Sequence, residues 1–156
     1  MPDLTKARQF LYHEADLMDR HAYDDWLALW TPDAKYLIPC NEDDYDDRLH
    51  VSIVNEDHAG LCDRVARLKS SSVWAQRPKS RLSRIIGNVR FQPTGPDGLV
   101  GQATFNLTAV RHGAIDVIAG RTEHRLRATP SGLRLVEKTV WLVTIDDVMP
   151  NLTFLL

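Results

Sequence analysis

Residues 101–109, GQATFNLTA, alternate without a break. Gly101, Ala103, Phe105, Leu107 and Ala109 are small or apolar, and Gln102, Thr104, Asn106 and Thr108 are polar. Successive side chains of a strand point to opposite faces, so this is a half-buried strand. Turn signals stand on either side: PTGPDG at 93–98, RHGA at 111–114 and TPSG at 129–132. They divide the second half of the chain into four long strands, 83–92, 99–111, 115–128 and 133–145. Loops this short join neighbours antiparallel.

The first third has helical periodicity instead. Leu4, Ala7, Phe10, Leu11, Leu17 and Met18 form one stripe over residues 3–20, with Asp3 as its cap. A second helix is expected over 23–31, carrying Trp26, Leu27, Leu29 and Trp30 and ended by TPD. AKYLIP (34–39) and HVSIV (50–54) read as short strands around an acidic loop, Glu42 to Asp47. Asp57 caps a third helix running to about Lys69, with Leu61, Cys62, Val65 and Leu68 inward. Helices followed by strands predict an α+β fold, with N-terminal helices packed on a curved, mainly antiparallel sheet. The whole of 1–156 reads as one domain.

The last strand, LRLVEKTVWLVTI (133–145), is apolar on both faces from Val140 to Val143. One face packs on the helices, and the other needs cover. The expected cover is a second chain, with a folded-back tail as the alternative. Trp141 and Leu142 are therefore interface candidates. Trp74, Arg81 and Arg84 join them from WAQRPKSRLSRIIGNVRF (74–91), because tryptophan and arginine are enriched where proteins meet. An anion site is the competing reading of those arginines.

At 44% hydrophobic and 26% charged, with a formal net charge of -2, the chain is of ordinary globular composition. That balance argues against a nucleic-acid partner. No apolar run suggests a secretory signal or a membrane span, so a cytoplasmic location is expected. Cys40 and Cys62 fit no redox or metal motif. His58 and Cys62 lie one helical turn apart, but two ligands do not make a zinc site. The acidic loop lacks the glycine and terminal glutamate of a calcium loop. His13, His21, His50 and His112 read as surface or loop residues. No metal ligand set and no catalytic residue is assigned.

Glu14 falls inside the apolar stripe of the first helix. A carboxylate facing a core is paired, hydrogen-bonded or neutral. A structural pair with a basic or hydroxyl side chain of the sheet, for example an arginine such as Arg84 or Arg125, is the favoured reading, and a general acid or base in a pocket is the other. Tyr36 and His124 are further pocket candidates by residue type.

FLYHEADLMDRHAYDDWLALWTPDAKYLIP (10–39), LCDRVARLKSSSVWAQRPKSRLSRIIGNVRF (61–91) and KTVWLVTIDDVMPNLTFLL (138–156) together resemble the small (beta) subunit of aromatic-ring-hydroxylating dioxygenases. The matching positions include Glu14, Asp19, Trp26, Pro39, Arg64 and Asn88. The resemblance implies a cone-shaped fold similar to nuclear transport factor 2 and ketosteroid isomerase. It also implies a partner. The family's large subunit carries a Rieske [2Fe-2S] cluster and a mononuclear Fe(II), and small subunits form a trimeric base within an α3β3 hexamer. No cofactor is then expected on this chain, whose role would be non-catalytic. The alternative is a free-standing isomerase, dehydratase or small-molecule-binding protein of the cone fold. Isomerase-like relatives place a catalytic carboxylate before the proline that ends the first strand. Here Ile38 precedes Pro39, and an apolar residue cannot abstract a proton.

Overall fold

The computed structural model describes residues 2–40, 52–70, 79–143 and 153–156. Three helices, α1 (Leu4–Asp19), α2 (Tyr23–Leu27) and α3 (His58–Lys69), lie against six strands. These are β1 (Trp30–Pro39), β2 (Ser52–Asp57), β3 (Arg81–Pro93), β4 (Gly98–Arg111), β5 (Ala114–Thr129) and β6 (Gly132–Leu142). The sheet order is β2-β1-β6-β5-β4-β3. Every pairing is antiparallel except β1 with β6. The α+β expectation is met.

Both expected caps form. Asp3 accepts from Thr5 N, and Asp57 from Gly60 N, each at 2.9 Å. The α1 stripe is buried from Ala7 to Met18 and includes Glu14, but Leu4, at the helix start, is 49% exposed. The second helix ends earlier than its periodicity suggested. Leu135 N donates to Leu29 O, and Trp30 already pairs with Leu135, so β6 draws the chain into a strand. Trp30 still meets Trp26 edge-on, at 5.4 Å between ring centroids. Cys62 is exposed rather than inward, leaving Leu61 and Val65 as the buried positions of α3.

Two irregularities set which side chains face the helices. In β3 the register slips by one residue between Gly87 and Arg90, where Asn88 takes a φ of 52°. In β6, Arg125 pairs with Glu137 but Leu126 pairs with Leu135, so Val136 is an extra residue. A bulge of this kind reverses the inward and outward faces beyond it. The β4–β5 hairpin turns through His112 and Gly113, with φ of 51° and 76°. The pair of left-handed residues suits the right-handed twist of the strands, and glycine adopts it without strain.

Beyond the Val136 bulge, Lys138, Val140 and Leu142 face the helices, while Trp141 and Val143 face away. Phe154, Leu155 and Leu156 return to the same core as Leu142 and are 8%, 2% and 3% exposed. This corrects the expectation for Leu142. It is covered within its own chain, and the returning segment covers the inner face rather than the outer one.

Candidate functional site

Glu14 is 1% exposed and sits where α1 crosses β5 and β6. His124 and Lys138 are directly opposed on those two strands, so both point at the helix from adjacent positions. Lys138 Nζ donates to Glu14 Oε1 at 2.7 Å, and His124 Nε2 lies 2.8 Å from Oε2. Trp26 Nε1 adds a longer bond to Oε1 at 3.3 Å. Burial by itself raises the pKa of this carboxyl. The Lys138 ammonium and the His124 contact outweigh burial and hold it well below the usual carboxylate range. An ionised carboxylate only accepts, so His124 Nε2 carries the hydrogen.

Glu14 is therefore buried and paired with basic side chains of the sheet, as expected, but these are Lys138 and His124 rather than Arg84 or Arg125. Arg125 lies beside Glu137 at 3.4 Å on a half-exposed part of the sheet. Arg84 points inward with a side chain 2% exposed. Its Nε donates to Asp19 Oδ1 at 2.6 Å, and its Nη2 to Leu155 O at 3.1 Å. Arg84 thus serves pairing within the chain, which corrects its expected place at a subunit edge. Arg81 is exposed on the opposite face of β3. Trp74 lies outside the described residues, as does the acidic loop. Tyr36 is buried, and its hydroxyl donates to Leu156 O at 2.6 Å. Burial pushes that phenol's pKa far up, so it remains a donor.

Tyr36, Glu14 and His124 thus converge on the cone interior, together with Lys138, which the sequence reading missed. Glu14, His124 and Lys138, though not Tyr36, line a cavity of about 10 Å³ with Leu11, Ile86, Phe105 and Leu156. That volume is at the threshold for one water and far below what a substrate needs. Thr122 Oγ1 and His124 Nδ1 are buried in its wall without a hydrogen-bond partner among the described residues. Ile38, the residue before Pro39, is 1% exposed and apolar.

Among the described residues no three His, Cys, Asp or Glu side chains are grouped to hold a metal ion. The His58–Cys62 pair, 3.6 Å between Nδ1 and Sγ, stands alone in this respect on an exposed helix face.

The outer face of the sheet is different. Arg121 lies over the Trp141 ring at 5.8 Å, and both line an open groove of about 540 Å³ with Arg90, Gln102 and Thr104. Beside it Ile85 and Val143 are 71% and 73% exposed, next to Asn106 and Ala119.

Residues 13–150 match the family described as the ring hydroxylating beta subunit. The chain belongs to that family. It is 32% identical over 142 residues to the small oxygenase component of the p-cumate 2,3-dioxygenase system of Pseudomonas putida, covering 88% of this chain and 78% of the relative. It is 31% identical over 138 residues to the 2-halobenzoate 1,2-dioxygenase small subunit of Burkholderia cepacia, covering 85% and 84%. Among solved structures, the beta subunit of a Burkholderia mallei benzoate 1,2-dioxygenase superposes with a TM-score of 0.83 at 26% identity, covering 99% of each chain. A protein of the nuclear transport factor 2-like, cystatin-like fold from Novosphingobium aromaticivorans superposes at 0.65 and 15% identity, covering 90% of this chain and 82% of that one. This likeness extends to the cone fold alone. As a ring-hydroxylating beta subunit, the chain is part of an oxidoreductase whose relatives oxidise aromatic compounds.

Proposed function

We propose that this beta subunit is a non-catalytic assembly unit, which binds the large subunit of its dioxygenase and holds it in an α3β3 hexamer. On this reading the Rieske [2Fe-2S] cluster and the mononuclear Fe(II) belong to the large subunit, and the complex works in the cytoplasm on an aromatic substrate. The observation that carries it is the state of the cone interior. Glu14 is bonded there to both His124 and Lys138, and about 10 Å³ is left beside them. Polar groups paired this tightly hold helix to sheet and leave no room for turnover.

The outer face supports the same reading. Trp141, Arg121 and Arg90 line its groove, and Ile85 and Val143 lie exposed nearby. Exposed apolar residues beside a tryptophan and arginines make the kind of surface that another subunit covers. Trp141 and Arg81 remain the candidate contacts.

Co-expression with a tagged large subunit, followed by light scattering, tests this. The expected result is a single complex with equal numbers of the two chains and a mass that fits three of each. A beta subunit that elutes free of its large subunit, while the large subunit retains full ring-hydroxylating activity alone, would overturn the assignment.

A further inference from the structure

Two buried polar atoms of β5, Thr122 Oγ1 and His124 Nδ1, make no hydrogen bond among the described residues. Their residues, 6% and 3% exposed, line the same cavity of about 10 Å³. They stand two apart on one strand, so both side chains leave the same face of the sheet, about 6.5–7 Å apart at the backbone. A buried polar atom without a partner forfeits the hydrogen bonds that it had in water, and folded proteins rarely leave two such atoms side by side.

The chemistry of the lining selects the occupant. With its Nε2–H directed at Glu14, a neutral His124 ring presents Nδ1 as an acceptor. The Thr122 hydroxyl can both donate and accept. Lys138 lines the same space with three N–H groups, of which two are taken, by Glu14 Oε1 at 2.7 Å and Met18 Sδ at 3.7 Å. A buried water makes about three hydrogen bonds and needs a volume on the order of 10–15 Å³. Partners and space therefore suit one water, and nothing larger fits. An ion does not suit the site, because Glu14 and Asp19 are already paired with Lys138 and Arg84, and a further charge would be buried uncompensated.

We infer that this cavity is a binding site for one ordered water, which donates to His124 Nδ1 and bonds Thr122 Oγ1, and that Thr122 acts through it as a positioning residue for His124. The nitrogen of a histidine that carries the hydrogen is set by the bond that the other nitrogen makes. Held as an acceptor by the water, Nδ1 keeps the hydrogen on Nε2, where it meets Glu14 at 2.8 Å. The water thus continues the polar chain that joins Lys138, Glu14 and His124. This goes beyond the assembly role and stands apart from it, since the site is inside one chain and the large subunit is not involved.

The test compares the full chain with Thr122→Val, which removes the hydroxyl at similar volume, and Thr122→Ser, which keeps it. Nitrogen NMR of isotope-labelled histidine should show His124 Nδ1 in wild type as an unprotonated, hydrogen-bonded nitrogen. In Thr122→Val its resonance should move to that of a free imidazole nitrogen, and Thr122→Ser should restore it. Magnetic relaxation dispersion of water oxygen, which counts long-lived internal waters, should show one fewer per chain in Thr122→Val than in wild type or Thr122→Ser. If Thr122→Val does not fold, a wild-type crystal structure at a resolution that shows ordered waters decides alone, with one water expected within hydrogen-bond distance of both atoms. A His124 Nδ1 that carries the hydrogen, a resonance or water count unchanged in Thr122→Val, or a Thr122 Oγ1 bonded directly to His124 or to main chain would overturn the inference. Because no large subunit is present, failure here leaves the assembly role standing, and failure to form a complex leaves the water site standing.

Discussion

Lys138 Nζ meets Glu14 Oε1 at 2.7 Å across 124 residues of sequence, with both side chains 2% exposed. The Val136 bulge makes this contact. It turns Lys138 from the outer face of β6 to the inner one, opposite His124. A buried pair is strongly coupled to stability, because removing one partner leaves the other charged and alone. Glu14→Ala and Lys138→Ala should each lower the unfolding free energy by about 3–5 kcal/mol. Joint replacement by Glu14→Leu and Lys138→Met should lose much less. Urea titrations of the three variants check this, and a Glu14→Ala chain as stable as wild type would contradict it.

The same carboxylate makes stability depend on acid. Its folded pKa lies below its ordinary value of 4.5, so the folded state favours the ionised form. A group depressed in this way contributes its full stability above the unfolded pKa and loses it as pH falls through the folded one. The difference in urea midpoint between wild type and Glu14→Gln should be constant near neutrality and shrink below about pH 4.5. A difference that grows in acid would reverse the sign of the assignment.

Arg84 should not tolerate lysine. Its fork reaches Asp19 and Leu155 O together, whereas an ammonium is a single compact charge. Arg84→Lys is expected to cost about 1.5–3 kcal/mol, the range for a lost hydrogen bond to a charged group. Denaturant unfolding measures it, and a neutral result would show that lysine can satisfy both acceptors.

Trp141 and Leu142 are adjacent but should fail differently. Leu142 is 3% exposed in the core, so Leu142→Asp buries a carboxylate and should abolish the native far-ultraviolet dichroism. Trp141 faces the outer groove, so Trp141→Asp should keep that spectrum. Loss of about 1.5–3 kcal/mol of tryptophan burial should show as a smaller mass by light scattering of the assembled complex. An unchanged mass would remove Trp141 from the interface.

At Gly120 the sheet has no room for a side chain. An added Cβ would lie 2.4 Å from Trp141 O and 3.0 Å from the Phe105 ring. Backbone does not yield as a flexible side chain does, so Gly120→Ala is expected to cost about 1–3 kcal/mol. A thermal melt suffices to test it, and a variant that melts with wild type would show that the strands can part there.

Period and punctuation in the sequence were enough to determine the helices, the four long strands and both helix caps, because these depend on neighbours in the chain. The same local pattern placed Glu14 in the core and required a partner for it. Which partner it has was decided only by the tertiary structure. Counting alternate residues from Leu133 and Leu135 places Lys138 outward, and only the extra residue at Val136 turns it in. The end of α2 was decided in the same way, by the pairing of Trp30 with a strand more than a hundred residues later. The cover over Leu142 also had no local signal, since Phe154–Leu156 could have packed on either face of the sheet. On the inner face Tyr36 Oη and Arg84 Nη2 donate to main-chain oxygens of that segment, Leu156 O and Leu155 O, and so hold it there.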